Sequence, residues 1–230
     1  MNIISRAIGK VKRDLLFYKR RKQAVKLGVS FRKPNYIFLN KFSKGDWIID
    51  VGCADDADFS VFVIDELGLN SIGVDPTKKH HGSLEKIERR YSGRFRFAPY
   101  AVASEDGTLI FHESENFASG SLISSHQNMN RDNSLSYEVQ SVTLRSLLGK
   151  LGLPRASYIK LDLEGAEYDL LKNIKKEDLD LFDQIFVEFH HHAFEEYSKK
   201  DTMILVDRIR SLGFSGFSLD DHNFLFYKVD

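Results

Sequence analysis

The spacing of apolar and polar residues changes character near Lys44. Before it, Ile4, Ile8, Val11 and Leu15 recur at helical intervals with basic residues between them, which predicts an amphipathic helix over Ile3–Leu27. After it, short apolar runs alternate with helical patterns. Trp47–Val51 reads as a strand, followed by a glycine-containing turn and a helix over Phe59–Leu67. Ser71–Asp75 predicts a second strand and Arg94–Ala103 a third. Thr108–His112 predicts a return strand after the turn Glu105-Asp106-Gly107. Phe117–Ser136 is polar, without period, and is expected to form a long loop over a substrate. Glu138–Thr143 reads as a short strand and Leu144–Leu151 as a helix. Tyr158–Leu163 is a strand running into a helix that starts near Glu164–Ala166. Gln184–His190 follows as a strand, and then a helix turns Leu205, Ile209 and Leu212 inward. Phe217–Leu219 and Phe224–Val229 close the chain as an antiparallel hairpin. Repeated β–α units of this kind predict an α/β fold with an open, mostly parallel sheet and helices on both faces. The organisation expected is a helical extension over 1–43 and one α/β domain over 44–230.

The segment Tyr158–Leu171 is the most informative. Alternation puts Ile159, Leu161 and Leu163 on one face and Lys160, Asp162 and Glu164 on the other. A strand leading into a helix belongs to a sheet covered on both faces, where three charges in a row are costly unless paired or used. These charges gather toward the carboxyl end, where open α/β sheets bind their ligands. The strand Gln184–His190 places Glu188 and His190 on one face, beside Asp162 if the two strands are neighbours. Together these side chains suit a general base or a divalent cation. The cluster permits a metal without requiring one, and no metal ligand is assigned. His191 and His192 cannot share a ligand with His190 from one strand, since side chains alternate, and read as loop residues. His80 and His81 follow Lys78 and Lys79 and read as a solvated loop.

Charge alters this picture at the N-terminus. The 230 residues carry no net charge, yet residues 1–33 hold eleven Lys or Arg against one acid, Asp14, a local net charge of +10. A basic amphipathic helix either attaches to an anionic surface, most simply the inner face of a membrane, or packs on the domain with its cations in water. Nucleic acid is not expected, because no aromatic–basic pattern recurs downstream. The single cysteine, Cys53, excludes an internal disulfide and fits a reducing, cytoplasmic compartment. Neither a membrane-length apolar run nor the apolar region of a signal peptide is present.

Two strand ends suggest a nucleoside site. The first strand runs into Asp50-Val51-Gly52-Cys53-Ala54, and the second ends at Asp75-Pro76. A glycine after the first strand lets a ligand approach the backbone, and an acid some twenty residues on suits ribose hydroxyls. The glycine-rich turn that cradles a pyrophosphate is absent, so a dinucleotide cofactor is disfavoured. A ribose-bearing cofactor without phosphates, such as S-adenosylmethionine, fits better.

From Trp47 to Lys228 the chain resembles the FkbM-type S-adenosylmethionine-dependent methyltransferases. The resemblance rests on Asp50-Val51-Gly52-Cys53-Ala54, on Asp75-Pro76, and on Ala101–Gly107. It is completed by Lys160-Leu161-Asp162-Leu163-Glu164-Gly165-Ala166-Glu167 and Val187-Glu188-Phe189-His190. It implies a Rossmann-like class I methyltransferase fold, with a seven-stranded sheet and a reversed last strand, and transfer of a methyl group to the oxygen of a sugar or other small hydroxylated metabolite. It assigns cofactor contacts to Asp50, Gly52, Cys53, Ala54, Asp75, Pro76, Ala101 and Val102, and catalysis to Lys160, Asp162, Glu164 and His190. The family's second glycine is replaced here by Asp56, whose side chain would crowd the methionine part of the cofactor. That departure keeps an alternative open, a catalytically inactive binding or scaffolding domain.

Overall fold

In the computed structural model, which describes residues 3–32, 36–114, 120–123 and 133–228, seven strands form one central sheet. The elements are α1 (Ile3–Leu27), β1 (Val29–Phe31), β2 (Ile37–Leu39), β3 (Trp47–Val51), α2 (Asp58–Leu67), β4 (Asn70–Val74), α3 (Lys78–Arg90), β5 (Phe95–Ala98), β6 (Ala101–Val102), β7 (Gly107–Ser114) and β8 (Gly120–Ser121). They continue with β9 (Ser134–Val142), α4 (Leu144–Leu151), β10 (Ala156–Leu161), α5 (Glu167–Asn173), α6 (Lys176–Leu179), β11 (Phe182–Glu188), α7 (Lys199–Ser211), β12 (Phe214–Ser218) and β13 (Asn223–Lys228). The sheet order is β12-β13-β11-β10-β3-β4-β5. The pairings are parallel except the two made by β13, which runs against both of its neighbours. This is the Rossmann-like sheet with a reversed last strand that the resemblance implies.

Alternation along the central strands builds a core on each face. Ile49, Val51, Ile159, Leu161, Ile185 and Val187 are buried with apolar residues of α4, α5 and α7. Ile48, Tyr158 and Phe186 are buried on the other side with Phe59 and Val63 of α2 and with Ile37, Phe38 and Leu39 of β2. Leu39 and Gln184 bond twice: the Leu39 amide donates to Gln184 Oε1 at 2.6 Å, and Gln184 Nε2 donates to the Leu39 carbonyl at 3.0 Å. Those bonds and the Tyr158 hydroxyl, which donates to the Ile37 carbonyl at 3.0 Å, fix the β1–β2 hairpin on the sheet.

Three sequence expectations need correction. The third strand is broken. β5 stops at Ala98, where the Tyr100 amide turns back to donate to the Ala98 carbonyl at 2.9 Å, and Ala101–Val102 pair with β9 in a second, four-stranded sheet, β6-β9-β7-β8. The expected loop Phe117–Ser136 contains strand at both ends, β8 and the start of β9, since β7 and β9 stay paired from Gly107↔Ser141 to Ser114↔Ser134. The remainder of that segment, 117–119 and 124–132, lies outside the described residues. The Lys78–His81 region is the first turn of α3, not a solvated loop, and its His80 is buried. His80, Leu84 and Ile87 share one face of this helix, a stripe diluted in the sequence by Gly82 and many charges.

Helix α1 has the bounds its periodicity predicts. Its C-terminal half is held on the domain. Ala24 is buried, Arg20 Nη1 donates to the Leu219 carbonyl at 3.0 Å, and Arg20 Nη2 pairs with Asp221 at 2.6 Å. Leu15, Tyr18 and Val25 fall largely on the opposite side, 53, 56 and 77 % exposed.

Candidate active site

A cleft opens at the carboxyl ends of β3, β4 and β10, with the four-stranded sheet along its rim. Gly52, Ala54, Asp75 and Pro76 line one part of it, with Ala101 and Val102 nearby. Asp162, Leu163 and Glu164 line another, and Phe111, Gly120 and Leu122 reach in from the second sheet. Asp50 and Cys53 do not line the cleft. Asp50 lies beneath it, its Oδ2 accepting hydrogen bonds from the Ser60 amide at 3.2 Å and the Ser60 hydroxyl at 2.8 Å. Cys53 is buried behind the wall, against Gly73.

Gly52 has a φ of +75°, and a Cβ there would stand 2.0 Å from the Asp162 carbonyl oxygen. Its glycine is therefore required by the protein's own backbone, which brings the β3 and β10 ends together. Ala54 also has positive φ, at 56°. Its amide donates to Asp75 Oδ2 at 3.0 Å, while the Thr77 amide donates to Asp75 Oδ1 at 2.8 Å. His80 Nδ1 lies 3.4 Å from Asp75 Oδ2. Burial pushes the Asp75 carboxyl pKa up, but His80 and the Thr77 donors outweigh that and hold it below the usual value. The loop thus presents a carboxylate fixed in charge and orientation. Asp56 is exposed, accepts a hydrogen bond from the Asp58 amide at 3.3 Å, and does not line the cleft.

The charged strand end is more tightly organised than the sequence reveals. Lys160 Nζ sits 3.0 Å from Asp162 Oδ2 and 3.7 Å from Asp50 Oδ1. Burial opposes the ammonium charge, yet the two carboxylates hold its pKa well above the ordinary lysine value. Among the described residues Asp50 Oδ1 accepts no hydrogen bond, so the lysine is what compensates it. Beyond β10 the chain turns sharply through Glu164 at φ 48° and Gly165 at φ 102°. A Cβ on Gly165 would meet the Phe194 ring at 2.4 Å. The turn directs Glu164 into the cleft, and the Ser121 hydroxyl donates to the Glu164 carbonyl at 2.7 Å.

β10 and β11 are parallel neighbours, with Leu161 opposite Val187, so Glu188 and His190 do come beside Asp162. His190 is buried. Its Nδ1 lies 3.1 Å from Glu167 Oε1, which also accepts from the His190 amide at 2.9 Å. Its Nε2 faces Asp162 Oδ1 at 3.4 Å and Glu164 Oε2 at 3.7 Å. Burial disfavours the imidazolium, but Glu167, Asp162 and Glu164 together raise its pKa to about 10. Burial, with the Asp162 carboxylate next, raises the Glu188 pKa to about 7. His191 and His192 stand in a turn, with His191 stacked on His222 at 4.4 Å.

Sequence reasoning missed His80 as the partner of Asp75 and Glu167 as the anchor of His190. Glu167 is fully buried in the first turn of α5, where an acid reads as an ordinary helix-start residue.

Fold and cleft define an α/β domain of the Rossmann-like kind. The methyltransferase FkbM domain family matches residues 32–215, and the chain belongs to that family. It is a methyltransferase whose cofactor is S-adenosylmethionine. None of the curated proteins matches. Among solved structures, Methanococcus jannaschii fibrillarin pre-rRNA processing protein has a TM-score of 0.47 at 8 % identity, over 89 % of this chain and 72 % of that one. The N-terminal domain of human METTL16 in complex with SAH gives 0.47 at 10 %, over 83 % and 65 %. M. capricolum TrmK in complex with S-adenosyl-homocysteine gives 0.38 at 11 %, over 81 % and 62 %. Likeness at this level bears on neither substrate nor mechanism, and the sheet order itself carries the fold.

Proposed function

We propose that this methyltransferase transfers a methyl group to an oxygen of a small hydroxylated acceptor of the saccharide type. The observation that carries this reading is the pair Asp162 and Glu164 at one end of the cleft, with Lys160 and His190 buried behind them and not lining it. The other end suits the cofactor: Asp75 offers a fixed carboxylate to ribose hydroxyls, and Ala54 and Gly52 keep side-chain bulk away. Ala101 and Val102 border the adenine, with Pro76 beside the ribose. Asp50 and Cys53 support this wall from behind. With Asp56 outside the cleft, the residues present fit the cofactor, which weighs against the inactive-scaffold alternative.

S-adenosylmethionine supplies an electrophilic methyl on a positively charged sulfur. The chain's own groups must position the acceptor and take its proton. Glu164 is the half-buried carboxylate turned into the cleft and receives the hydroxyl proton. Asp162, held by Lys160, orients the same oxygen. His190, held by Glu167, braces Asp162 and Glu164 from behind the cleft wall. Positioning supplies much of the rate, because the sulfonium is already a good leaving group. Glu164→Gln and Asp162→Asn are each expected to cut turnover by about 10²- to 10⁴-fold while leaving S-adenosylhomocysteine affinity unchanged in calorimetry. Full activity of both variants toward a sugar acceptor would overturn these roles.

We also propose that the protein works in the cytoplasm, with α1 resting on an anionic phospholipid surface. The support is the +10 charge of residues 1–33 and the outward stripe Leu15, Tyr18 and Val25. Among the described residues no helix is long and apolar enough to cross a membrane.

A further inference from the structure

Asp162 Oδ1, Glu164 Oε2 and His190 Nε2 point toward one another, and ligand atoms of the three residues all lie within 4.8 Å of one another. The separations of 3.4 and 3.7 Å from the imidazole nitrogen exceed the roughly 2.7–2.9 Å of a charge-assisted hydrogen bond. They match instead atoms arranged around a common centre. Ligand bonds of about 2.1 Å at right angles put neighbouring ligand atoms about 3 Å apart, and wider angles stretch this toward 4 Å.

The outer contacts point the same way. Metal-bound histidines give their second ring nitrogen to a carboxylate or carbonyl, and ligating carboxylates are themselves held by hydrogen bonds. Here Nδ1 of His190, a side chain more than nine-tenths buried, is taken by Glu167, which leaves Nε2 aimed at the two acids. Asp162 gives Oδ2 to Lys160 and keeps Oδ1 for the centre. Glu164 is set by a left-handed backbone conformation that a non-glycine residue adopts only when its surroundings impose it.

We propose that Asp162, Glu164 and His190 bind a divalent cation of the Mg2+ or Mn2+ type. Two carboxylate oxygens and one imidazole suit such an ion better than a soft, thiolate-seeking one. Binding replaces the proton on His190 Nε2, which passes to solvent. Asp162 and Glu164 both line the cleft, so the remaining coordination positions face the acceptor. An acceptor with two adjacent oxygens, a vicinal diol, fills two of them. The proposal rests on the methyl-transfer reading for its purpose, though not for its geometry.

Mn2+ is the probe, followed by electron paramagnetic resonance and by calorimetry on metal-stripped full-length protein. One Mn2+ per chain is expected, at micromolar to tens-of-micromolar concentration. Glu164→Gln, a change at a half-buried side chain, should weaken binding at least tenfold, and His190→Gln should do the same. Glu167→Gln should weaken it roughly 10- to 100-fold by releasing the imidazole. No binding by the wild-type chain at millimolar Mn2+, or binding that all three variants retain, would overturn the site. Calorimetry with S-adenosylhomocysteine on the same samples keeps the two readings apart. Nucleoside binding without Mn2+ binding removes the metal and leaves the methyltransferase reading. Mn2+ binding without nucleoside binding does the reverse.

Discussion

At Gly52 a single hydrogen separates two strand ends. An alanine there must place its Cβ within 2.0 Å of the Asp162 carbonyl while holding φ near +75°. Strain and displacement together should cost about 3 kcal/mol, so Gly52→Ala is expected to lower Tm by roughly 6–12 °C in calorimetric melts. A melt within 2 °C of wild type would show that the strand ends can separate freely. Lys160 carries a comparable weight by charge. Lys160→Met strands Asp50 in the core, with an expected loss of about 3–5 kcal/mol. Adding Asp50→Asn should return part of that loss, which a double-mutant cycle reads directly. Asp75 has the opposite sign with pH. Its folded-state pKa lies below the ordinary 3.8, so its stabilisation is present above that value and disappears as pH falls through the folded-state pKa. The Tm difference between wild type and Asp75→Asn should therefore be widest near neutrality and close at acid pH. A constant difference would remove the electrostatic account. Lys160, Asp162 and Asp75 were legible in the sequence because charge at a strand end is conspicuous. His80 and Glu167 were not, since their partners are brought to them only by folding.

Among the elements, α1 and α3 show two limits of periodicity. The α1 pattern is strong enough to fix the helix, yet periodicity does not say which face meets the domain. The packed side is Arg20 and Ala24, while the more apolar stripe faces outward. This orientation sets the test for the membrane proposal. Full-length protein should sediment with vesicles containing anionic phospholipid and not with neutral ones, and the bound fraction should fall as salt rises. Leu15→Glu with Tyr18→Glu should abolish sedimentation while leaving Tm within about 2 °C, because neither side chain packs on the domain. Sedimentation unaffected by these changes would exclude the stripe as the contact. The α3 helix escaped notice for the opposite reason. Its buried stripe is sparse, and a polar surface dominates a helix that lies on a sheet edge. Pro99 marks the break between β5 and β6, and weight on that residue rather than on the apolar run gives the correct end of β5.

For the molecule as a whole, strand order was legible as a class and the second sheet was not. Parallel strands buried on both faces announce themselves as apolar runs, whereas β7 and β9 carry exposed Leu109, Ile110 and Leu135 among polar residues and pair over a long separation. The cleft uses both sheets, so ligand binding should stabilise them together. S-adenosylhomocysteine at a hundred times its Kd is expected to add about 2.7 kcal/mol, a Tm rise of roughly 5–10 °C. Hydrogen exchange should slow in β7–β9 as well as at the ends of β3 and β10. Slowing confined to the large sheet would place the second sheet outside the binding unit.

The pairing of β6 with β9 has a consequence for how such a cleft can diversify. Ala101 and Val102 pair with Ser141 and Val142, so the excursion that begins at β6 ends on the strand beside it. Everything between these anchors is a cassette whose ends are already joined. Its length and residues can be exchanged without re-threading the seven strands beneath. A graft cut at Val102 and Ser141 would carry a new rim onto an unchanged cofactor floor, a practical route to altering what the enzyme accepts.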